Sequence, residues 1–184
     1  MAVLEGGRHG FAFASGLSAI MTVGHLLKSG DHVIASNDLY GGTYRLFERV
    51  FRDLGLTFSY VDASDPANLA RARRPETKMI FVETPTNPMM TIVDLKATAA
   101  FCRSEKILMV VDNTFLTPYL QRPLVLGADI VVHSSTKYLN GHSDMVGGVV
   151  VVSRDDLAER LGFLQNAIGA VAGPMDSWLA MRGV

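Results

Sequence analysis

Cysteine occurs once in the 184 residues, as Cys102, so no disulfide can form within the chain. A lone thiol fits a reducing, cytoplasmic setting. Its neighbours in "KATAAFCRSEK" are helix formers, which predicts a buried structural thiol rather than a nucleophile. Charge of one sign is lacking too: 17 Lys and Arg against 18 Asp and Glu leave −1, which gives no electrostatic reason to expect nucleic acid or a membrane surface as partner. No apolar run approaches the roughly 18 residues of a spanning helix. No basic stretch followed by an apolar one opens the chain, as a signal peptide would. Repeats, low-complexity tracts and internal linkers are absent. What remains is the composition of a globular domain with a real core, 48% hydrophobic and 19% charged, at a length that suits one domain better than two.

Seven short apolar runs recur along the chain: "FAFAS" (11–15), "HVIAS" (32–36), "FSYVD" (58–62), "MIFVE" (79–83), "ILMVVD" (107–112), "DIVVHS" (129–134) and "VGGVVVV" (146–152). Most are continuously apolar rather than alternating, which predicts strands covered on both faces. Helical patterns separate several of them. "GLSAIMTVGHLLKSG" follows a small-residue turn and ends at Gly30. "TYRLFERVFRDLG" places Leu46, Val50 and Leu54 on one face with Phe47 and Phe51 beside them, and stops at Gly55. Asp65 and Pro66 form a helix start, as does Asp94, whose helix ends in cations. Strands and helices alternating at these lengths predict an α/β domain with a mostly parallel sheet of about seven strands flanked by helices.

Ligands of such a sheet gather beyond the carboxyl ends of its strands. The first strand runs into "SGLS", where backbone N–H groups at a helix start can hold a phosphate. The second is followed by Tyr40 before two glycines, the fourth by "TPTNP" with Asn87 between prolines. The fifth ends in "DNT" with Asp112, and the sixth in "HSSTK" with Ser134, Thr136 and Lys137. Taken singly each has an ordinary reading: a turn, a rigid loop, an N-cap, a lysine snorkelling to solvent. Together they supply a helix N-terminus, an aromatic ring, an amide, a carboxylate and an amine among hydroxyls. That set suits pyridoxal phosphate, whose aldehyde forms a Schiff base with a lysine and whose ring nitrogen needs a carboxylate. Asp112 would face the ring nitrogen, a pair contributing about 4 kcal/mol at roughly 4 Å and an effective dielectric of about 20, before desolvation. Tyr40 would stack on the ring, for about 1 kcal/mol. N–H groups at Gly16 and Leu17 with hydroxyls of Ser134 and Thr136 would take the phosphate, helped by the helix dipole.

With those residues in view, "FASGLSA", "YGGTYRLF", "ETPTNP", "VVDNTF", "HSSTKYLNGHSD" and "GPMDSWLAMRG" give a sequence that resembles the Cys/Met-metabolism family of fold-type I pyridoxal-phosphate enzymes. Cystathionine γ-synthase, γ-lyase and β-lyase and methionine γ-lyase are among its members. The resemblance covers essentially all 184 residues and lies nearest the γ-synthase and γ-lyase branch. It implies the large cofactor-binding domain of that fold, with pyridoxal 5'-phosphate as cofactor and an amino acid such as cystathionine or an activated homoserine as substrate. Lys137 would be the Schiff-base lysine and proton shuttle, Asp112 the ring-nitrogen partner, and Tyr40 the stacking tyrosine that also takes a proton from the incoming amine. Gly16, Leu17, Ser134 and Thr136 match phosphate-binding positions, Thr114 lies beside the cofactor face, and Asn87 matches the asparagine near the ring hydroxyl and substrate carboxylate. Glu83, His142 and Asp144 read as structural network residues. Elimination of the lyase type is the first expectation, γ-replacement the second, β-lyase or methionine γ-lyase activity the third. A cytoplasmic homotetramer built from dimers is implied as well.

Both ends predict that residues 1–184 are an incomplete large domain: "MAVLEGG" reads as the tail of a helix, and "DSWLAMRGV" breaks off soon after "GPMD". The N-terminal arm and the C-terminal domain of the family, with the arginine that clamps the substrate carboxylate, are not matched by any segment here. Two other classes stay open. One is a catalytically incomplete piece that keeps only the fold and an assembly surface. The other is a metal-dependent hydrolase or nucleotide-binding domain using Asp112, against which no Gly-x-Gly-x-x-Gly follows a strand and no metal-like His/Asp spacing occurs.

Overall fold

The computed structural model describes residues 1–184. Its seven strands fall on the seven apolar runs: β1 (His9–Phe13), β2 (His32–Ser36), β3 (Thr57–Val61), β4 (Thr77–Glu83), β5 (Leu108–Asp112), β6 (Ile130–Ser134) and β7 (Gly148–Val152). They form one sheet in the order β1-β7-β6-β5-β4-β2-β3. The pairs from β6 through β3 are parallel. β7 runs antiparallel to both neighbours, β1 and β6. The carboxyl ends of β2, β4, β5 and β6 therefore share one edge, and β7 begins there, with Gly148 opposite both Ser134 and Phe13.

Eight helices connect and cover the sheet: α1 (Ala2–Glu5), α2 (Gly16–Gly24), α3 (Gly41–Leu46), α4 (Pro66–Ala72), α5 (Leu95–Glu105), α6 (Thr117–Leu120), α7 (Asp155–Ile168) and α8 (Pro174–Gly183). Asp65 and Asp94 cap α4 and α5 through side chains that accept the Ala67 and Ala97 N–H groups, satisfying donors left open at a helix start. Burial on both faces explains the unbroken apolar runs. Val110, Val132 and Val150 face a core with Ile20 and Leu161, while Ile80, Val82 and Val111 face one with Leu69 and Cys102. Cys102 is buried as anticipated, and burial pushes its thiol up to about 12.

Three local expectations are corrected. β1 spans His9–Phe13 rather than residues 11–15, and ending before Ser15 leaves Ser15 to cap α2. α2 ends at Gly24, not Gly30, with Leu26 and Leu27 continuing only in tighter turns to Val23 and Gly24, and Gly24 itself makes room for the Phe51 ring. After α3 the chain widens into a π-helical turn, Phe47–Phe51, with the Arg52 N–H reaching the Phe47 carbonyl. That turn buries Phe47 and Phe51 and leaves Val50 and Leu54 exposed. The aromatic pair has more area to bury, and Phe47 stacks on Phe58 at 4.8 Å and meets Phe81 edge-on at 5.3 Å. No helix is long and apolar enough to cross a membrane.

Candidate active site

The shared strand edge encloses a cavity of about 360 Å³. Gly16, Leu17, Tyr40, Asn87, Asp112, Thr114, Ser134, Thr136 and Lys137, the residues expected to hold cofactor and substrate, line it together. Nothing local in the chain dictates this; the sheet order does, by bringing the ends of β1, β2, β4, β5 and β6 to one edge.

Ser15, in extended conformation, turns the chain into α2, and its Oγ accepts the Ser18 N–H at 3.0 Å. The N–H groups of Gly16 and Leu17, also in the first turn, have no partner inside the helix and point out of its positive end. Gly16 packs directly on β6: a Cβ there would come within 2.9 Å of the Ser134 Cβ. Helix start and strand end thus converge, and only glycine permits it. Gly148 plays a matching part, since a side chain there would run into the Ser15 carbonyl. Gly16→Ala is expected to weaken binding of pyridoxal phosphate about tenfold in an absorbance titration and to cost about 1–3 kcal/mol of stability by overpacking. Unchanged affinity in the variant would mean that the junction of α2 and β6 does not hold the anion.

Asp112 is only 8% exposed, and its Oδ1 accepts from the Thr114 N–H at 3.0 Å and hydroxyl at 2.5 Å. The same Thr114 oxygen accepts the Ser134 N–H at 2.8 Å. Thr114 therefore bridges the ends of β5 and β6 on the cavity side. Burial pushes the Asp112 carboxyl above its ordinary range, against the Thr114 hydrogen bonds and the influence of His133. A cationic group opposite it would offset that cost. Thr136 exchanges hydrogen bonds with the backbone of Gly147, donating to its carbonyl at 3.2 Å and accepting its N–H at 3.1 Å. A phosphate oxygen would compete with Gly147 for the one hydroxyl proton. Lys137 follows on an exposed turn, its N–H bonded to the Ser134 carbonyl at 3.2 Å and its carbonyl to the Gly141 N–H at 2.8 Å.

Tyr40 stands at the start of α3 with its ring over Gly42, where a side chain would come within 2.4 Å of the Tyr40 Cε1. The second glycine of "YGG" makes room for the ring. Glu83, predicted as a network carboxylate, accepts the Tyr40 N–H at 2.9 Å and also lines the cavity. It lies directly across from Asp112 in the β4–β5 pairing. Burial first, then Asp112, pushes its carboxyl up to about 8 from an ordinary 4.5. Between those two values the unfolded chain has released a proton that the folded chain keeps, so stability falls as pH rises through that window. Urea unfolding of the cofactor-free chain is expected to show this fall, at most about 1.4 kcal/mol per pH unit from this one group. Glu83→Gln should remove that share of the slope; an identical slope in wild type and variant would contradict it.

The network reading of His142 and Asp144 matches the geometry. Asp144 accepts from Asn140 Nδ2 at 2.9 Å and from Arg182 Nη2 at 2.5 Å, while His142 Nδ1 meets the Asn140 carbonyl. Sequence reasoning missed Ser15, Ile20, Phe115 and Val146, which complete the cavity wall. The cap pattern of "SGLS" could have pointed to Ser15; the apolar residues carry no local signal.

An open α/β sheet with a helix N-terminus, a lysine and a carboxylate around one cavity defines a domain built for an anionic, carbonyl-bearing cofactor. Comparison with known proteins makes this specific. The family described as "Cys/Met metabolism PLP-dependent enzyme" matches residues 1–184. A probable cystathionine gamma-synthase of Herpetosiphon aurantiacus is 52% identical over 184 residues, which are 100% of this chain and 58% of that protein. A cystathionine gamma-lyase of Bacillus subtilis (strain 168) is 53% identical over 181 residues, 98% of this chain and 48% of its own length. The crystal structure of a cystathionine gamma-lyase from Lactobacillus plantarum, complexed with L-serine, superposes with a TM-score of 0.98 at 51% identity, covering 99% of this chain and 48% of that one. The chain belongs to the Cys/Met metabolism family of PLP-dependent enzymes. It spans about half the length of the curated relatives it matches.

The residues present fit that family's cofactor. The Gly16–Ser134 junction leaves a cradle that a side chain would fill, two N–H donors converge on it, and a buried carboxylate stands in the same cavity as an amine.

Proposed function

We propose that residues 1–184 form the cofactor-binding large domain of an enzyme that removes or replaces sulfur-bearing groups on amino acids. Cystathionine γ-lyase-type elimination is the leading activity. Pyridoxal phosphate, when bound, supplies an aldehyde and an electron-withdrawing ring. The observation that carries the reading is the single cavity in which Lys137, Asp112 and the start of α2 meet. Gly16, Leu17 and Ser134 bind the phosphate, with Thr136 beside them. Asp112 would hold a proton at the cofactor's ring nitrogen, and Thr114 fixes that carboxylate. Tyr40, on the cavity wall, would cover the cofactor's ring and take a proton from the substrate amine. Lys137 would hold the cofactor through its aldehyde, and its Nζ, on the cavity wall, is the base that would move protons at Cα and Cβ of the substrate. Asn87 orients the substrate carboxylate. No arginine lines the cavity, so a firm bidentate grip on that carboxylate must come from outside these residues. Homo-oligomeric assembly goes with this reading, and the exposed Tyr119, Tyr138 and Trp178 suit a covered surface.

γ-Synthase-type replacement is the second reading, supported by the Herpetosiphon relative. β-Elimination is supported by a cystathionine beta-lyase of Coxiella burnetii, 55% identical over 186 residues. Product analysis of the full-length protein separates them. With cystathionine, γ-elimination yields cysteine, 2-oxobutyrate and ammonia; β-elimination yields homocysteine, pyruvate and ammonia. γ-Replacement instead forms cystathionine from cysteine and an activated homoserine. 2-Oxobutyrate is the expected product, and none of these reactions above a blank would overturn the proposal.

A further inference from the structure

Beneath the cavity, on the other face of the sheet, lies a polar cluster that none of the steps above uses. Glu5 and His133 are both fully buried, and Glu5 Oε1 meets His133 Nε2 at 2.6 Å. The same oxygen accepts from Asn113 Nδ2 at 3.0 Å. Asn113 also donates to the Gln121 carbonyl at 2.8 Å and accepts from Gln121 Nε2 at 2.9 Å. Side chains alternate along a strand, so His133 points away from its neighbour Ser134, and Asn113 joins it on that face through the shared Glu5 oxygen. Each arm of the cluster is thus one residue from a cavity residue. Glu5 reaches both from α1, more than a hundred positions away in the chain.

Stability alone is a weak reason for this arrangement. Burying such polar groups contributes little net stability, because both lose their water. Here Glu5 Oε2 and His133 Nδ1 have no partner at all. We infer that Glu5 is a positioning residue for the cofactor site: through His133 and Asn113 it locks the ends of β5 and β6 together from behind, as Thr114 does from the cavity side. The separation it sets is that between Asp112, at the ring end of the site, and Ser134, at the phosphate end. A ligand held at both ends gains from a spacing fixed in advance, whereas one held at a single end does not. This inference rests on the cofactor reading above.

The test compares pyridoxal phosphate, which engages both ends, with pyridoxal, which lacks the phosphate. The ratio of their dissociation constants is measured by absorbance titration of the full-length protein. Glu5→Ala is expected to lower the ratio of pyridoxal to pyridoxal phosphate constants at least tenfold, leaving pyridoxal itself within about threefold of wild type. Glu5→Gln fills the same volume and serves if alanine fails to fold; it should lower the ratio about threefold by loosening the His133 contact. Leu69→Ala, a destabilising change in the core under α4, is the control and should leave the ratio unchanged. A ratio equal to wild type in the Glu5 variants, or one lowered equally in Leu69→Ala, overturns the inference while the cofactor reading stands. Wild-type protein that binds neither compound overturns both.

Discussion

Lys137→Ala is expected to abolish the covalent adduct that pyridoxal phosphate forms with this chain. Borohydride converts such an adduct to a stable secondary amine, and peptide mass analysis then reports which residue carries it. Lys137 is the only amine on the cavity wall. The other four lysines, Lys28, Lys78, Lys96 and Lys106, are exposed on the surface away from it. Wild type should therefore carry one pyridoxyl group per chain on the peptide that contains Lys137, at near-stoichiometric cofactor. The variant should carry only slow, scattered labelling of surface lysines that grows with excess reagent. Because the side chain is exposed, its loss should change folding stability by no more than about 0.5 kcal/mol. An unlabelled variant is then a folded protein that has lost one nucleophile. Equal labelling of the two proteins would place the reactive amine elsewhere and undo the assignment of the site.

Asp112→Asn should separate binding from folding by moving them in opposite directions. The amide oxygen of asparagine can still accept from the Thr114 N–H and hydroxyl, so the bridge to Ser134 survives. What disappears is a buried negative charge that burial disfavours. Stability of the cofactor-free chain at neutral pH should hold or rise, by roughly 1 kcal/mol, because a neutral group avoids much of that desolvation. Affinity for pyridoxal phosphate should fall about a hundredfold, near 3 kcal/mol, the lower range for removing one member of a buried charge pair. Turnover of the full-length protein should fall further, since a ring nitrogen without its proton withdraws electrons less well. Thermal melts and absorbance titrations of the same preparations measure both quantities. A parallel loss of stability and affinity would mean that Asp112 acts as a structural carboxylate rather than as the partner of a ring nitrogen.

Much of this molecule is local in origin, and that part was legible in the chain. Runs such as "HVIAS" and "DIVVHS" end with β2 and β6 because a doubly covered strand is mainly apolar, with its few polar residues at or near its ends. Asp65 and Asp94 start their helices with side chains that reach N–H groups two or three residues on. The residues lining the cavity could be named in advance because each follows a strand, and parallel strands present their ends on one side. Helix limits were less legible: α2 stops at Gly24, six residues before the Gly30 at which the pattern ended.

The sequence by itself determined the class of the domain, the seven strands and the residues that carry chemistry, since apolar periodicity, caps and side-chain reactivity act over a few neighbours. Only the tertiary structure decided that β7 runs against the rest and brings Gly148 beside Ser15, that Glu83 holds the Tyr40 backbone, and that Glu5 closes on His133 and Asn113. Those contacts join residues tens to more than a hundred positions apart, and sheet order and close packing, which no short window of sequence encodes, put them together.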